Sequence, residues 1–471
     1  MSRLLASIFP LFLLVLAACG NMKTDDDLEP SPVDLSKVYG AQANPTGSPI
    51  GGGEGYKNIV TNGDFTVNNK DGLLNALASA KDGQIIFIQG EAEIDLSGLS
   101  NLYIPQNVTL AGSRGQNGSL GPLLYANDME QGSILFWARA GVRVTGLRFR
   151  GPAPDFTDLT ASYEGKSTIC LVVGDPDVEV DNCEFSNFNR GAVEIYPDGQ
   201  RIHIHHNFFH DVHAYPVIAL DRSATPILIE ANIIHWIWHA TAGSGYPGTG
   251  YEARYNQIIR KPVPAFWLPY DESHAIDMHP YLQVLQERGQ RIAGDLLSIH
   301  HNTFIDEASN DPSVVTSFDA KVRGTPRVLA SFYNNQFLNV KPEQAVVHYD
   351  GNVWVYNNQY GSEKIIVDLA LETTPQILFN YPPPPHIDVP QLNGSELPID
   401  IEVNVFEGLE ITSVKVELND KVLYEGNSVP GAGEIIINLT DLTSDQGNQK
   451  LTVTATDNRG VEGRHTTYFK L

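Results

Sequence analysis

Six asparagines recur down the middle of this chain in the same short setting, and that recurrence restricts the fold more than any other feature. The setting is an apolar residue, any residue, a polar residue, Asn, any residue, then Phe or another apolar residue. It reads Ile204-His205-His206-Asn207-Phe208-Phe209, Ile229-Glu230-Ala231-Asn232-Ile233-Ile234 and Ala253-Arg254-Tyr255-Asn256-Gln257-Ile258. It returns as Ile299-His300-His301-Asn302-Thr303-Phe304 and around Asn335 and Asn358, while Val180 to Phe185 places Cys183 in the asparagine position. From 183 onward the intervals are 24, 25, 24, 46, 33 and 23 residues. Three short strands and three turns per coil need about two dozen residues, so the longer intervals mark loops inserted at turns. An asparagine at a fixed turn tolerates left-handed angles and reaches the next coil, building a ladder. The apolar residues three before and two after it then point inward. A helical solenoid lacks the required period, and a β-propeller blade needs about forty residues. The pattern predicts an all-β chain built on a parallel β-helix.

A β-helix leaves its first coil open. Asp71 to Lys81, with Leu73, Leu74, Leu77 and Ala78 at helical spacing, predicts a capping amphipathic helix, followed by a strand at Gln84–Ile88. This helix-then-strand opening resembles the cap of pectate-lyase-like proteins, which implies a right-handed parallel β-helix over 56–381. Pro382 to Pro385 reads as a stiff spacer. Beyond it, alternating runs such as Ile399–Val403, Ser413–Leu418 and Leu451–Asp457 predict a small immunoglobulin-like β-sandwich over 386–471. No catalytic set is visible there, so its expected role is spacing or weak glycan contact.

The first nineteen residues carry an address. Arg3 is followed by an apolar run, Leu4 to Leu16, too short to span a bilayer. It ends in Leu16-Ala17-Ala18-Cys19, which is similar to a bacterial lipobox and implies a lipid-bearing Cys19 at the mature N-terminus. Residues 20–55, rich in Asp, Pro, Gly and Ser, read as a flexible tether. Their Lys23-Thr24-Asp25-Asp26-Asp27 run is similar to export signals of surface lipoproteins, so the expected location is the outer membrane, facing outward. Cys170 and Cys183 form either a disulfide or two small buried hydrophobes. A net charge of −25 argues against nucleic acid and anionic lipid surfaces as partners. It also requires a local basic patch or a bound cation if the ligand is an acidic glycan.

In pectate-lyase-like proteins the substrate groove lies on the sheet formed after each turn loop. That mapping places Val217–Arg222, His239–Gly243, His274–His279 and Val314–Lys321 on successive coils of one face. His239 and His274 begin adjacent coils and are expected about 5 Å apart, one strand spacing. Asp277 and His279 share a strand face with one residue between them. Candidate catalytic residues are therefore His239, His274, Asp277 and His279, with Tyr251, Arg254 and Arg323 added for proton donation and carboxylate neutralisation. Arg222, Glu252, Trp267 and Tyr270 are candidate substrate contacts, the aromatics as sugar-stacking platforms. Histidine rows also occur as plain hydrogen-bonded surface, and His203, His205 and His206 are read in that way.

The run His300-His301-Asn302-Thr303-Phe304, then Val322-Arg323-Gly324-Thr325-Pro326-Arg327-Val328, then Asn334-Asn335-Gln336-Phe337 is similar to pectate lyases. The resemblance implies that Arg323 stands nearest the family's basic arginine, although the loop has one extra residue and Leu329 stands near the place of the second arginine. No cofactor is required by the sequence. Calcium is the ion the resemblance raises, and Asp175, Asp177, Glu179 and Asp181 are its nearest candidate ligands, read in preference as a solvated acidic face. A histidine–carboxylate metal site has the right residue types, but no tight spacing on one element compels it.

The expected function is cleavage of an acidic polysaccharide, as a lyase acting by β-elimination on a uronic acid. A glycoside hydrolase on the same scaffold is the alternative, using two of Asp221, Asp277 and Asp319. A non-catalytic glycan-binding protein is the third reading.

Overall fold

The computed structural model describes residues 39–156, 167–219, 227–262, 273–281, 291–307, 320–348, 351–362, 365–369, 372–384, 390–442 and 448–470. Cys19 and the rest of the expected leader, and also Arg222, Trp267, Tyr270, Asp221 and Asp319, lie outside the described residues.

Three long parallel sheets wind around one apolar interior, with 12, 9 and 11 strands among the described residues. Each coil contributes one short strand to each sheet, and the neighbours run parallel and in register. The structure is a parallel β-helix. Asn207, Asn232, Asn256, Asn302, Asn335 and Asn358 stack along one turn and are fully buried. Each uses Oδ1 to accept the backbone N–H of the preceding coil's ladder residue, at 2.9–3.0 Å, beginning with Cys183. Each donates from Nδ2 to a carbonyl of the coil before it, at 2.8–2.9 Å, as Asn256 does to Ile229 O.

The left-handed backbone falls one residue earlier than the sequence suggested. His206, Ala231, Tyr255, His301, Asn334 and Asn357 have φ of 49–57°, while the ladder asparagines do not. The turn needs a left-handed residue to reverse direction, and the asparagine after it is freed to aim its amide along the stack. The residues three before and two after each asparagine do point inward. Phe185 and Phe209 stack at 5.1 Å, and Phe304, Phe337 and Tyr360 at 4.6 and 5.2 Å, filling the coil.

The first coil is closed by a helix, Lys70–Ser79, whose Asn69 cap accepts from Gly72 N. It buries Leu73, Ala76 and Leu77, with Ala76 rather than Ala78 facing the core.

Residues 39–55, expected as tether, are docked on the β-helix. Gly40 N donates to Asn334 O and Gly51 N to Ala231 O, each the carbonyl of a left-handed ladder-turn residue. Gly53 N bonds Asn182 Oδ1, and Tyr56 OH donates to Asp181 Oδ2 at 2.7 Å. A Cβ on Gly52 would fall 2.3 Å from His206 O, so the glycines serve close backbone approach rather than flexibility.

The sandwich also begins earlier than expected. Gln376–Tyr381 pairs antiparallel with Asp400–Asn404, so the proline run lies inside the sandwich domain and is not a spacer before it. A four-stranded antiparallel sheet completes this small immunoglobulin-like domain. It closes the last coil: buried Asn352 donates to Pro326 O and Ile377 O and accepts from Ile377 N. Covering the final coil satisfies edge groups that would otherwise recruit another chain. Cys170 and Cys183 are free, buried thiols, packed as small hydrophobes.

Asn256→Ala strips partners from Ile229 O and Asn232 N, and is expected to destabilise the fold by about 3 kcal/mol in urea unfolding followed by circular dichroism.

Candidate active site

The site is built on the nine-strand sheet, where Gly191–Ile195, Tyr215–Ala219, His239–Gly243, His274–Met278 and Ala320–Val322 lie side by side. The register pairs His239 with His274, Ala242 with Asp277, and Asp277 with Lys321. The His239 and His274 rings are 5.3 Å apart, the separation that one strand spacing dictates. On the outer row of this sheet Ala242 stands beside Asp277, whereas Ala240, Gly243 and Ala275 turn toward the interior of the coil.

Asp277 is the hub. Fully buried, it sits with Oδ2 2.8 Å from Arg323 Nη2, 2.9 Å from His279 Nε2 and 3.6 Å from His239 Nε2. Arg323 reaches it because its backbone N–H continues the strand pairing, donating to Met278 O. Burial is the largest influence on the Asp277 carboxyl and favours protonation. His279, His239 and Arg323 outweigh it and hold the group down to about 2. Burial drives His239 and His274 the other way for the same physical reason, both down to about 3, with Lys321 and Arg323 adding to the effect on His274. Both imidazoles are therefore neutral. The His279 contact is close but lacks hydrogen-bond alignment, and His239 Nδ1 and Asp277 Oδ1 are buried without a hydrogen-bond partner.

Five of the expected residues thus meet: His239, His274, Asp277, His279 and Arg323. Tyr251 does not join them. It points into the coil, 2 % exposed, its hydroxyl 3.3 Å from Thr241 Oγ1. Ala253 faces inward as the residue three before Asn256, and a strand's period of two puts Tyr251 on the same side. Glu252 and Arg254 face outward but on the twelve-strand sheet, away from the histidine pair. There they belong to a continuous ionic row. Arg143 holds Asp181, His205 meets Glu179 at 2.9 Å, His203 meets Glu230 at 3.1 Å, Arg254 meets Glu230 at 2.6 Å and Glu252 at 2.8 Å, and His300 meets Glu252 at 3.0 Å. The plain structural reading of His203, His205 and His206 agrees with this row.

Two groups escaped the sequence reading. Tyr215 stacks on His239 at 5.3 Å and 15°, and Lys321 stands in register with Asp277. Tyr215 begins its strand 24 residues before His239 begins the next, which is one coil, so the signal was present. The four candidate calcium ligands do not fit that ion. Asp175 is paired with Arg139, Asp177 with Arg201, Glu179 with Arg143 and His205, and Asp181 with Arg143, Tyr56 and Thr145.

No protein-family model matches this chain, and no curated protein matches it.

Two outcomes follow from these charges. Burial pushes Glu230 up, but the His203 hydrogen bond and the Arg254 charge outweigh it and lower the carboxyl from 4.5 to about 2. Its stabilising contribution is present above 4.5 and is lost as the pH falls through about 2. Glu230→Gln is expected to flatten that part of the acid-unfolding curve. Arg323→Ala leaves Asp277 buried without its cation and is expected to cost about 3 kcal/mol. Adding Asp277→Asn is expected to restore part of it in a double-mutant cycle.

Proposed function

We propose that this protein is an exported polysaccharide lyase that cleaves a uronic-acid-containing glycan by β-elimination, carried on the cell surface by a lipid on Cys19. One observation supports the reading above others: neutral histidines and two cations, Arg323 and Lys321, gather around buried Asp277 on the outer side of one sheet of the β-helix. On a chain of net charge −25, that is the local basic patch an acidic glycan requires.

In this reading Arg323 and Lys321 receive the substrate carboxylate and lower the energy of the enolate that forms beside it. His274 takes the proton α to that carboxylate. Its imidazole is neutral and so has a lone pair to offer, and the arriving carboxylate raises its affinity for the proton. As the C–H electrons form the new double bond, the bond to the leaving glycosidic oxygen breaks. Tyr215 donates a proton to that oxygen, taking the role first given to Tyr251; burial raises its pKa and keeps the O–H intact. The resemblance to pectate lyases enters here as support from Arg323, which occupies the groove face as that family's arginine would.

The hydrolase alternative needs two carboxylates roughly 5–10 Å apart. Among the described residues, Glu194 is the other acid in the Asp277 row, and the register Glu194, Ile218, Ala242, Asp277 puts it three strands away, about 14 Å. A purely binding surface would have no use for a buried carboxylate set between an arginine and two histidines.

Purified protein incubated with pectate, alginate, ulvan and glycosaminoglycans is expected to release unsaturated uronate from one of them, followed by ultraviolet absorbance. His274→Ala is expected to lower kcat/KM about 10²–10⁴-fold, and His203→Ala to leave it unchanged. Absence of product across all four glycan classes would remove the lyase reading.

A further inference from the structure

We propose that His239, Asp277 and His279 form a binding site for one divalent transition-metal ion of the zinc type, on the groove face of the β-helix. Metal binding does not depend on the lyase reading, although the two share residues.

The ligand atoms come from two adjacent strands. His239 opens one strand, while Asp277 and His279, two residues apart, project from the same face of the next and just beyond its end. One ligand atom from each lies within 4.8 Å of the others. The contacts among them are unlike those of a finished hydrogen-bond network. His279 Nε2 approaches the carboxylate to 2.9 Å without donating to it in line. Asp277 Oδ1, on a residue with no solvent exposure, has no partner at all, although Oδ2 carries Arg323. Native folds satisfy buried polar atoms almost without exception, so a spare carboxylate oxygen beside two spare imidazole nitrogens calls for a cation.

The donor set chooses the ion. Two imidazoles and one carboxylate suit zinc and its first-row neighbours, whereas calcium takes oxygen ligands throughout. Three protein ligands leave at least one position open, the arrangement of catalytic rather than structural zinc sites. Arg323 on the carboxylate is the kind of outer contact that orients a ligand, and its charge lowers the affinity below that of a closed site.

A second cluster of like composition supplies the contrast. Glu179, His203 and His205 also lie within 4.8 Å of one another, yet each is engaged. His205 bonds Glu179 through Nε2 and His206 through Nδ1, His203 bonds Glu230, and Arg143 lies 3.6 Å from Glu179. That cluster is a stretch of the ionic row.

The test is calorimetric titration of chelator-treated full-length protein with Zn²⁺, with Co²⁺ absorption as a second probe of nitrogen and oxygen coordination and circular dichroism to confirm folding. One ion per chain is expected, undisturbed by excess Ca²⁺. His279→Ala, at a partly exposed strand end, and Asp277→Asn are each expected to weaken binding at least tenfold, and His205→Ala to leave it unchanged. No saturable binding, equal affinity in His279→Ala, or loss confined to His205→Ala would overturn the proposal. Zinc binding without lyase activity would leave the metal site standing, and activity without zinc binding would remove only the metal site.

Discussion

The asparagine ladder fixes the distance between coils, and every other feature of the molecule inherits that distance. Each ladder amide both accepts from and donates to the coil before it, inside a turn where a lost partner costs about 1–3 kcal/mol. Insertions therefore cannot push coils apart. The 46-residue interval from Asn256 to Asn302 leaves the ladder contact between those two side chains at 2.9 Å. The strands on either side of the longer interval stay paired, one spacing apart. The meeting of His239 and His274, 35 positions apart in the chain, is a consequence of that geometry and needs no local signal.

Two outer faces use the same repetition for different ends. On the twelve-strand sheet, acids and bases alternate from coil to coil, so Glu179, His203, His205, Glu230, Glu252, Arg254 and His300 neutralise one another along the stack. On the nine-strand sheet the row is not balanced. Asp277 is one buried carboxylate facing Arg323, His239 and His279, with Lys321 on the strand to one side and Ala242 on the strand to the other. A self-satisfied row stiffens a surface, whereas a buried carboxylate with one oxygen unpartnered marks a candidate functional group.

Much of this was legible because the repeat carries register as well as fold. The asparagine spacing gave the coil and the inward positions, while the resemblance to pectate lyases supplied the sheet order that aligned His239, His274, Asp277 and His279 and the loop that singled out Arg323. Tyr251 was misplaced although the same rule that turned Ala253 inward also turns its neighbour two residues away. Glu252 and Arg254 were drawn toward the site by chemistry when the strand before an asparagine belongs to another sheet. Residues 39–55 were misread for a different reason: Gly and Ser suit a solvated tether, but they equally suit a segment pressed against carbonyls of left-handed turn residues, and composition does not separate the two. The sandwich boundary at Gln376 was hidden because its pairing partner, Asp400–Asn404, lies beyond the prolines.

The central claim is that an acidic sugar sits on the nine-strand sheet against His274, Lys321 and Arg323. A crystal structure of the protein soaked with uronate oligosaccharides tests it most directly. The account requires a uronate carboxylate within hydrogen-bond distance of Arg323 or Lys321, with its ring on the outer row beside Ala242 and Asp277. Sugar bound instead on the ionic row or on the sandwich, with this face bare, would contradict it.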